Sequence, residues 1–278
     1  MNRDIPIETL HTERFSMQFF RFGTGEKPFV ILPGLSVQSV MGAAGAIAEA
    51  YRPFAEQYTV YVFDRREDLP EAYSIHDMAR DTAEAFMALG LKDVSLFGAS
   101  QGGMIALVLA IEYPALIGKM VLGSTSAHVR EEQYRVIDGW VRLAKAGDRK
   151  GLYLTFGKEI YPPSVFEQAR EQLIAAAETV TDKDLERFIV LAEGTKDFDV
   201  TSELDKIQCP VLALGVFEDS VVDADATMEI AEKLEERWDF RLYMYTGYGH
   251  AAFDTAPDYR QRILRFLEQQ ERERKNAP

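Results

Sequence analysis

A serine enclosed by glycines, in the segment Gly98-Ala-Ser-Gln-Gly-Gly103, is the part of the chain best suited to covalent chemistry. The segment has the pattern G-x-S-x-G and stands between two apolar runs, as it would between a strand and a helix. A nucleophile on such a sharp turn has a strained backbone and needs small neighbours two residues away on either side. Gly98 and Gly102 meet that need. The pattern therefore predicts that Ser100 is a nucleophile and that the Gln101 amide points at the same place from the start of the helix.

A serine hydroxyl becomes reactive when a base takes its proton and a carboxylate orients that base. The chain has four histidines. His250 follows the last predicted strand, in a loop that would share an edge of the sheet with Ser100. We therefore predict that His250 is the base. We predict structural roles for His11, His76 and His128, of which His128 could also face the pocket.

The carboxylate that orients the base should follow the preceding strand. Glu218 and Asp219 come directly after the apolar run Val211–Phe217. Neighbouring side chains on an extended segment point in opposite directions, so one of the two is expected to face the histidine. The sequence Asp-Ser-Val-Val that starts at Asp219 fits the loop pattern Asp-x-x-Val expected there. Asp219 is the preferred acid, and Glu218 stays open as the alternative.

A second backbone amide is needed to hold negative charge on a substrate oxygen. In the segment VILPGLS, residues 30–36, a strand ends at Leu32 and Gly34 lets the chain turn. The turn would direct the Leu35 amide at the Ser100 hydroxyl. The sequence therefore predicts an oxyanion hole formed by the amides of Leu35 and Gln101.

Short apolar runs alternate with helical stretches along most of the chain, which predicts a parallel sheet covered by helices on both faces. The predicted strands are Phe29–Leu32, Val60–Phe63, Val94–Phe97, Lys119–Leu122, Val211–Leu214 and Arg241–Tyr245. Between the second and third of them, Asp77–Leu89 has helical spacing, with Ser74 as its N-cap. The segment Phe15–Phe22 is predicted to add an antiparallel edge.

The alternation stops between residues 127 and 205, where helix signals replace strand signals. Apolar side chains recur at helical spacing from Val136 onwards. Ser164 with Glu167 resembles a capping box, and Thr181 with Asp184 precedes a third helix. We predict a core domain formed by residues 1–126 and 206–278, and a helical cap formed by residues 127–205.

Composition excludes several classes of protein. The 278 residues contain 31 Lys and Arg against 45 Asp and Glu, a net charge of −14, which excludes a nucleic-acid binder that relies on phosphate contacts. The longest apolar run, Met104–Ile111, is too short to span a bilayer, and the start lacks the order of a signal peptide. Cys209 is the single cysteine, so no intramolecular disulfide is expected. We predict a cytoplasmic protein without membrane or nucleic-acid partners; the sequence does not indicate an oligomeric state.

Other polar residues are predicted to be structural. Asp64-Arg-Arg66 ends a strand and is predicted to be a salt-bridged loop rather than a site, and the four histidines are too scattered for a zinc cluster. We therefore predict no metal ion and no organic cofactor.

Over nearly its whole length the chain resembles the α/β-hydrolase superfamily. The matching segments are Leu32-Pro-Gly-Leu35, Gly98-Ala-Ser-Gln-Gly-Gly103, Phe217-Glu-Asp219 and Gly249-His250. Their order agrees with that of the superfamily. The resemblance implies an α/β fold with a mostly parallel eight-stranded sheet, helices on both faces and a helical cap over the active site. Pro33 departs from the pattern, because many relatives have histidine there.

The resemblance also implies a serine hydrolase of the carboxylesterase type. It would cleave a small acyl ester, uncharged or weakly charged, through Ser100, Asp219, His250 and an acyl-enzyme. The same fold and triad also serve carbon–carbon bond hydrolases and aminopeptidase-like relatives, which are the alternative. A second alternative is a ligand-binding protein without turnover.

Overall fold

Eight strands form one sheet in the structure, a computed structural model that describes residues 5–275 and the side chains of residues 5–270. The strands are β1 (Ile7–His11), β2 (Ser16–Phe22), β3 (Lys27–Leu32), β4 (Tyr58–Arg66), β5 (Val94–Ala99), β6 (Ile117–Gly123), β7 (Val211–Val216) and β8 (Phe240–Tyr245). Their order across the sheet is β1-β2-β4-β3-β5-β6-β7-β8. β2 is antiparallel to both of its neighbours, and all other neighbouring strands are parallel.

Helices connect the strands. They are α1 (Ala44–Ala50), α2 (Ile75–Ala88), α3 (Gln101–Glu112), α4 (Glu131–Lys145), α5 (Arg149–Ile160), α6 (Pro163–Glu178), α7 (Asp182–Glu193), α8 (Asp223–Leu234), α9 (Ala252–Thr255) and α10 (Tyr259–Lys275). The fold predicted from the sequence is confirmed: the sheet is mostly parallel and helices surround it.

Both faces of the sheet are buried, which explains why the central strands are apolar throughout rather than alternating with polar residues. On β3, Val30 and Leu32 pack in one core cluster with α2, α3 and α8. Phe29 and Ile31, with the opposite side-chain direction, pack in a second cluster with α1 and α10. Because the two clusters sandwich the sheet, the strands hold fixed positions at its edge.

Helix α3 is apolar on all sides because it is buried. Every residue from Gln101 to Ile111 is buried, and the helix packs against α2, β5 and β6. Its twelve residues account for the longest apolar run in the sequence. Across residues 5–275, no helix has the length together with the apolar character that crossing a bilayer requires.

The parallel arrangement brings four loops to one edge of the sheet. The loops that follow β3, β5, β7 and β8 carry Leu35, Ser100, Asp219 and His250 respectively. These four strands are parallel within the ladder β3-β5-β6-β7-β8, so their carboxyl ends lie at the same edge. Ligands bind at this edge in open α/β sheets.

Four helices, α4 to α7, form an insertion between β6 and β7. Its two ends are joined by backbone hydrogen bonds: the Val129 amide donates to the Phe198 carbonyl at 2.9 Å, and the Val200 amide to the Ala127 carbonyl at 2.8 Å. The insertion has its own apolar cluster, which also includes Val37 from the loop after β3. This contact links the insertion to the edge of the sheet that carries the four loops.

Several predicted elements differ in detail from those observed. β1, α1, α5 and α9 were not predicted. The six predicted central strands extend further at one or both ends, and the predicted edge at Phe15–Phe22 begins one residue later, at Ser16. The capping boxes at Ser74 and Thr181 are confirmed. The capping box at Ser164 with Glu167 is wrong, because α6 begins one residue earlier, at Pro163, with Pro162 as its N-cap. Proline is favoured at the first helical position, where no N–H donor is needed.

Candidate active site

Ser100 occupies a strained turn between β5 and α3. Its φ of 52° and ψ of −122° lie in a region that non-glycine residues rarely adopt, at a cost of about 1–3 kcal/mol. Hydrogen bonds hold the turn in place: the Ser100 amide donates to the Gly123 carbonyl at 2.8 Å. The Thr125 hydroxyl donates to the Ser100 carbonyl at 2.7 Å. The neighbouring strand β6 and the residues after it therefore fix this conformation.

Two glycines make room for the turn. A Cβ atom at Gly98 would lie on the backbone of Gly102, and one at Gly102 would lie on the Leu32 carbonyl. These are backbone contacts that no side-chain movement can relieve. The close approach of Gly102 to Leu32 also fixes the distance between the Ser100 turn and the loop that follows β3.

The structure brings Ser100, His250 and Asp219 into one line of hydrogen bonds. The Ser100 Oγ lies 2.9 Å from His250 Nε2. His250 Nδ1 lies 2.8 Å from Asp219 Oδ2 and 3.0 Å from Asp219 Oδ1. A neutral ring with its proton on Nδ1 donates to the carboxylate and leaves Nε2 to accept the serine proton. Both His250 and Asp219 are buried, so water does not screen their interaction.

The two neighbouring carboxylates after β7 point to different partners. The Asp219 Oδ1 accepts hydrogen bonds from the amides of Val221 at 2.8 Å and Val222 at 3.0 Å, which hold the side chain towards His250. Glu218 is exposed, and its Oε2 accepts a hydrogen bond from the Gly247 amide at 2.7 Å. Of the two candidates, Asp219 lies beside His250, whereas Glu218 contacts the backbone of the loop after β8.

The predicted oxyanion-hole residues flank Ser100. Gln101 is the first residue of α3, so its amide has no acceptor within the helix. A Cβ atom built on Gly34 would be 3.1 Å from the Ser100 Cβ, so the loop that contains Leu35 packs directly against the serine. Leu35 and Ser100 both line the cavity described below.

A buried arginine ties these two segments together, and sequence analysis missed it. Arg65 Nη2 donates to the Pro33 carbonyl at 2.8 Å and to Gln101 Oε1 at 3.1 Å. The Gln101 side chain in turn donates to the Leu191 carbonyl of α7 at 2.7 Å. Arg65 is 5% exposed, and burial lowers the pKa of its guanidinium to about 10. One cation thus connects the loop after β3, the start of α3 and the insertion.

Asp64 extends the same network. It forms an ion pair with Arg187 of α7 and accepts a hydrogen bond from the Ser39 hydroxyl at 2.5 Å. The prediction that Asp64-Arg-Arg66 ends a strand and forms salt bridges agrees with the structure, although the three residues continue the strand rather than form a loop. These residues end β4, and the first two are buried at the edge of the sheet that carries Ser100. Three consecutive charged residues at the end of a buried strand were the available signal.

A cavity of about 470 Å³ opens beside Ser100 and His250. Its walls are mostly aliphatic and aromatic. They come from the loop after β3, from α1, and from Trp140, Phe156 and Ile160 of the insertion. The volume lies within the usual range for sites that bind small molecules. The insertion thus supplies one wall of the space next to the serine.

The other histidines lie outside this arrangement. His11 is hydrogen-bonded to Ser16, His76 pairs with Glu112, and His128 forms the backbone bridge with Asp199 at the base of the insertion. In the part of the chain that the structure describes, no three His, Cys, Asp or Glu side chains are grouped so that they could hold a metal ion.

Comparison with known proteins agrees with the observed fold. The family model described as alpha/beta hydrolase fold matches residues 27–257, which is most of the chain. The chain therefore belongs to the α/β-hydrolase family, as the sequence motifs predict.

Sequence identity to the named relatives is low. The chain is 30% identical to the mouse (Mus musculus) serine hydrolase BPHL over 152 residues, an alignment that spans about half of each protein, 51% of both. It is 24% identical to the putative carbamate hydrolase RutD of Caulobacter segnis, over 82% of this chain and 88% of that protein.

Solved structures share the fold over nearly the whole chain. MGS-M2, an alpha/beta hydrolase enzyme from a Medee basin deep-sea metagenome library, has a TM-score of 0.84 at 23% identity and covers 94% of this chain and 97% of its own. The enol-lactonase from Burkholderia xenovorans LB400 has a TM-score of 0.80 at 16% identity, with 94% and 100% covered.

Proposed function

We propose that this chain is a serine hydrolase of the carboxylesterase type, with Ser100 as nucleophile, His250 as base and Asp219 as the orienting acid. The observation that carries the proposal is the 2.9 Å contact between Ser100 Oγ and His250 Nε2, at the wall of a cavity large enough for a small molecule. A relative named serine hydrolase and another named putative carbamate hydrolase support hydrolysis as the reaction.

The reaction proceeds in two halves. Ser100 Oγ attacks the ester carbonyl carbon while His250 Nε2 takes the hydroxyl proton, and Asp219 stabilises the resulting imidazolium. The carbon–oxygen bond to the alcohol then breaks, and the alcohol leaves with the proton from His250. In the second half, water attacks the acyl-enzyme with His250 again as base, which releases the acid and restores the serine.

The amides of Leu35 and Gln101 would hold the carbonyl oxygen when it becomes negatively charged. Removal of one such donor costs ~10²–10³ in rate in other enzymes. Because both donors are backbone groups, their contribution depends on the shape of two loops rather than on two side chains. The Arg65 hydrogen bonds to Pro33 and Gln101 support that shape.

The proposed substrate is a small acyl ester, uncharged or weakly charged. The mostly apolar cavity wall favours such a molecule, and the net charge of −14 disfavours polyanions. The wall residues from α4 and α5 support the view of the insertion as a cap domain over the site. A cytoplasmic location stays a prediction from the sequence.

Hydrolysis of nitrophenyl esters of graded acyl chain length tests the proposal. The wild-type protein should release nitrophenol, and Ser100→Ala should lower kcat by ~10⁴ or more, because no acyl-enzyme can form. A folded wild-type protein that hydrolyses no ester in the panel, or a Ser100→Ala variant that retains the wild-type rate, would contradict it. The first result would favour carbon–carbon bond hydrolysis or ligand binding without turnover.

A further inference from the structure

One acid–base pair lines the mostly apolar cavity beside Ser100. Apart from His250, the charged side chains on the cavity wall within the described residues are Asp254 and Arg260. Asp254 lies on α9, four residues after His250, and Arg260 lies in the first turn of α10. The pair therefore belongs to the segment that also carries the base.

Neither member of the pair is fully satisfied. Arg260 Nη2 is 3.7 Å from Asp254 Oδ1, which is beyond hydrogen-bond distance. Arg260 Nε is buried and has no hydrogen-bond partner among the described residues, and its guanidinium lies 5.2 Å from the centre of the Tyr51 ring. Buried polar groups in proteins normally have partners, so the unpartnered Arg260 Nε is unusual.

The Asp254 side chain lines the cavity and is accessible from it. Its side chain is 54% exposed, and yet burial among surrounding protein atoms raises the pKa of the carboxyl. Both observations hold for a group that is surrounded by protein but borders a cavity. Among the residues whose side chains are described, none donates a hydrogen bond to this carboxylate, and Arg260 is its charged neighbour. The cavity therefore presents an open acceptor beside a cation. Because Arg260 Nε is enclosed by protein, the Nη groups of Arg260 are the donors that a ligand could reach.

We propose that Asp254 and Arg260 bind a neutral polar group of the substrate that both donates and accepts hydrogen bonds, with a primary carboxamide as the best match. This inference rests on the esterase function proposed for Ser100. A carboxamide can donate N–H to Asp254 and accept from Arg260 at the same time. An ammonium group would meet the charge of Arg260, and a carboxylate would meet that of Asp254, so either charged group is opposed by one member of the pair. The aliphatic walls would hold the remainder of the acyl chain.

A set of nitrophenyl esters with equal acyl chain lengths and different chain ends tests this inference. The ends are methyl, carboxamide, ammonium and carboxylate, compared over short to medium chains at neutral pH. At the chain length that reaches the pair, wild-type kcat/KM for the carboxamide should exceed that for the methyl ester by about tenfold, the effect of a hydrogen bond to a charged group. It should also exceed the values for both charged ends. Equal values for methyl and carboxamide ends at every length would overturn the inference.

Variants assign the preference to the pair. In Asp254→Asn and Arg260→Gln, the ratio of carboxamide to methyl kcat/KM should fall towards one. Because the ratio is taken within each variant, a change in the amount of folded protein does not affect it. Asp258→Asn is the matched control, since Asp258 bonds Tyr245 and Arg262 and does not line the cavity; it should keep the wild-type ratio. A preference that survives in both cavity variants would contradict the assignment.

The failure of the proposed function can be told apart from the failure of this inference. If the wild-type protein hydrolyses none of the esters, the esterase proposal fails. Calorimetry then measures the binding of three ligands with the same alkyl chain length: a primary amide, an amine and a carboxylic acid. This comparison tests the inference without turnover. Tighter binding of the amide that is lost in Asp254→Asn supports it, and equal binding of all three ligands overturns it.

Discussion

At the scale of single residues, the two carboxylates after β7 allow a matched test of the site. Asp219→Asn removes the charge that stabilises the His250 imidazolium and should lower kcat by ~10³–10⁴. Glu218→Gln removes a charge from the preceding residue, whose carboxylate accepts a hydrogen bond from the Gly247 amide instead. We expect a change in kcat of less than about threefold for Glu218→Gln, since a weaker but real hydrogen bond remains. Steady-state ester hydrolysis by both variants measures the contrast.

The opposite ranking of these two variants would show that Glu218 is the acid. The sequence leaves both residues as candidates, because strand periodicity shows only that neighbouring side chains point in opposite directions. The preference for Asp219 came from a loop pattern, and the structure supplies a physical reason for its orientation: two amides of its own loop hold its Oδ1.

At the scale of elements, β4 carries two adjacent arginines with different surroundings. Arg65 bonds the loop after β3 and the Gln101 side chain, whereas Arg66 bonds the Asp68 carbonyl and Asp81. Arg65→Met should lower kcat by about tenfold to a hundredfold, part of the value of an oxyanion-hole donor, with KM changed less than threefold. The reason is that the loops with both proposed donor amides lose a shared support.

Arg66→Met is the control for this prediction. It removes the same charge from the neighbouring position and should reduce the melting temperature while leaving kcat within about twofold, because Arg66 does not contact the segments around Ser100. Equal losses of kcat in the two variants would indicate a general effect of strand β4 on folding. Partial recovery in Arg65→Lys would agree with a role of the cation in positioning the loops.

Strands and helices differed in how far the sequence could predict them. The central strands are buried on both faces and appear as apolar runs, so their existence was predictable while their ends were not. β1 was missed because its residues alternate only between half-buried and exposed. α5 was missed because it packs against two other helices and its apolar side chains do not form a single stripe.

At the scale of the whole molecule, buried tyrosines predict a loss of stability at alkaline pH. Burial raises the pKa of Tyr51, Tyr73, Tyr161 and Tyr259, for Tyr161 to about 12. In the unfolded chain a tyrosine has a pKa of about 10. The stabilising contribution is therefore fully present below about pH 10 and is lost as pH rises through the folded-state values, because the unfolded chain releases these protons first.

The midpoint of denaturant unfolding, measured from neutral pH to about pH 11, tests this expectation. We expect the midpoint denaturant concentration to decrease once the pH exceeds about 10. Tyrosinate absorbance of the native protein should show that the buried tyrosines ionise at a higher pH than tyrosines of the unfolded chain. The lowered pKa of Arg65 acts in the opposite direction, but it is a single group against four. A midpoint that stays constant to about pH 11 would contradict the account.

Contacts between distant parts of the chain were beyond sequence analysis. Local motifs predicted Ser100 and His250 as site residues. The order of the strands in the sheet then determines which loops meet. The hydrogen bonds from Arg65 to Gln101 and from Gln101 to Leu191 depend on the position of α7 relative to the sheet. No local sequence pattern specifies that position. The same holds for Asp254 and Arg260, whose shared cavity is formed by α1, the insertion and the segment after β8.

The most direct test of the proposed catalytic centre is the site at which a fluorophosphonate modifies the folded protein. Such a reagent reacts with a serine whose hydroxyl is deprotonated by a neighbouring base. After incubation, mass spectrometry of the intact chain and of its peptides should find one phosphonyl group, on Ser100. The group should be absent from Ser100→Ala and should form far more slowly in His250→Ala. Modification of a different residue, or no modification of the folded chain, would contradict the account.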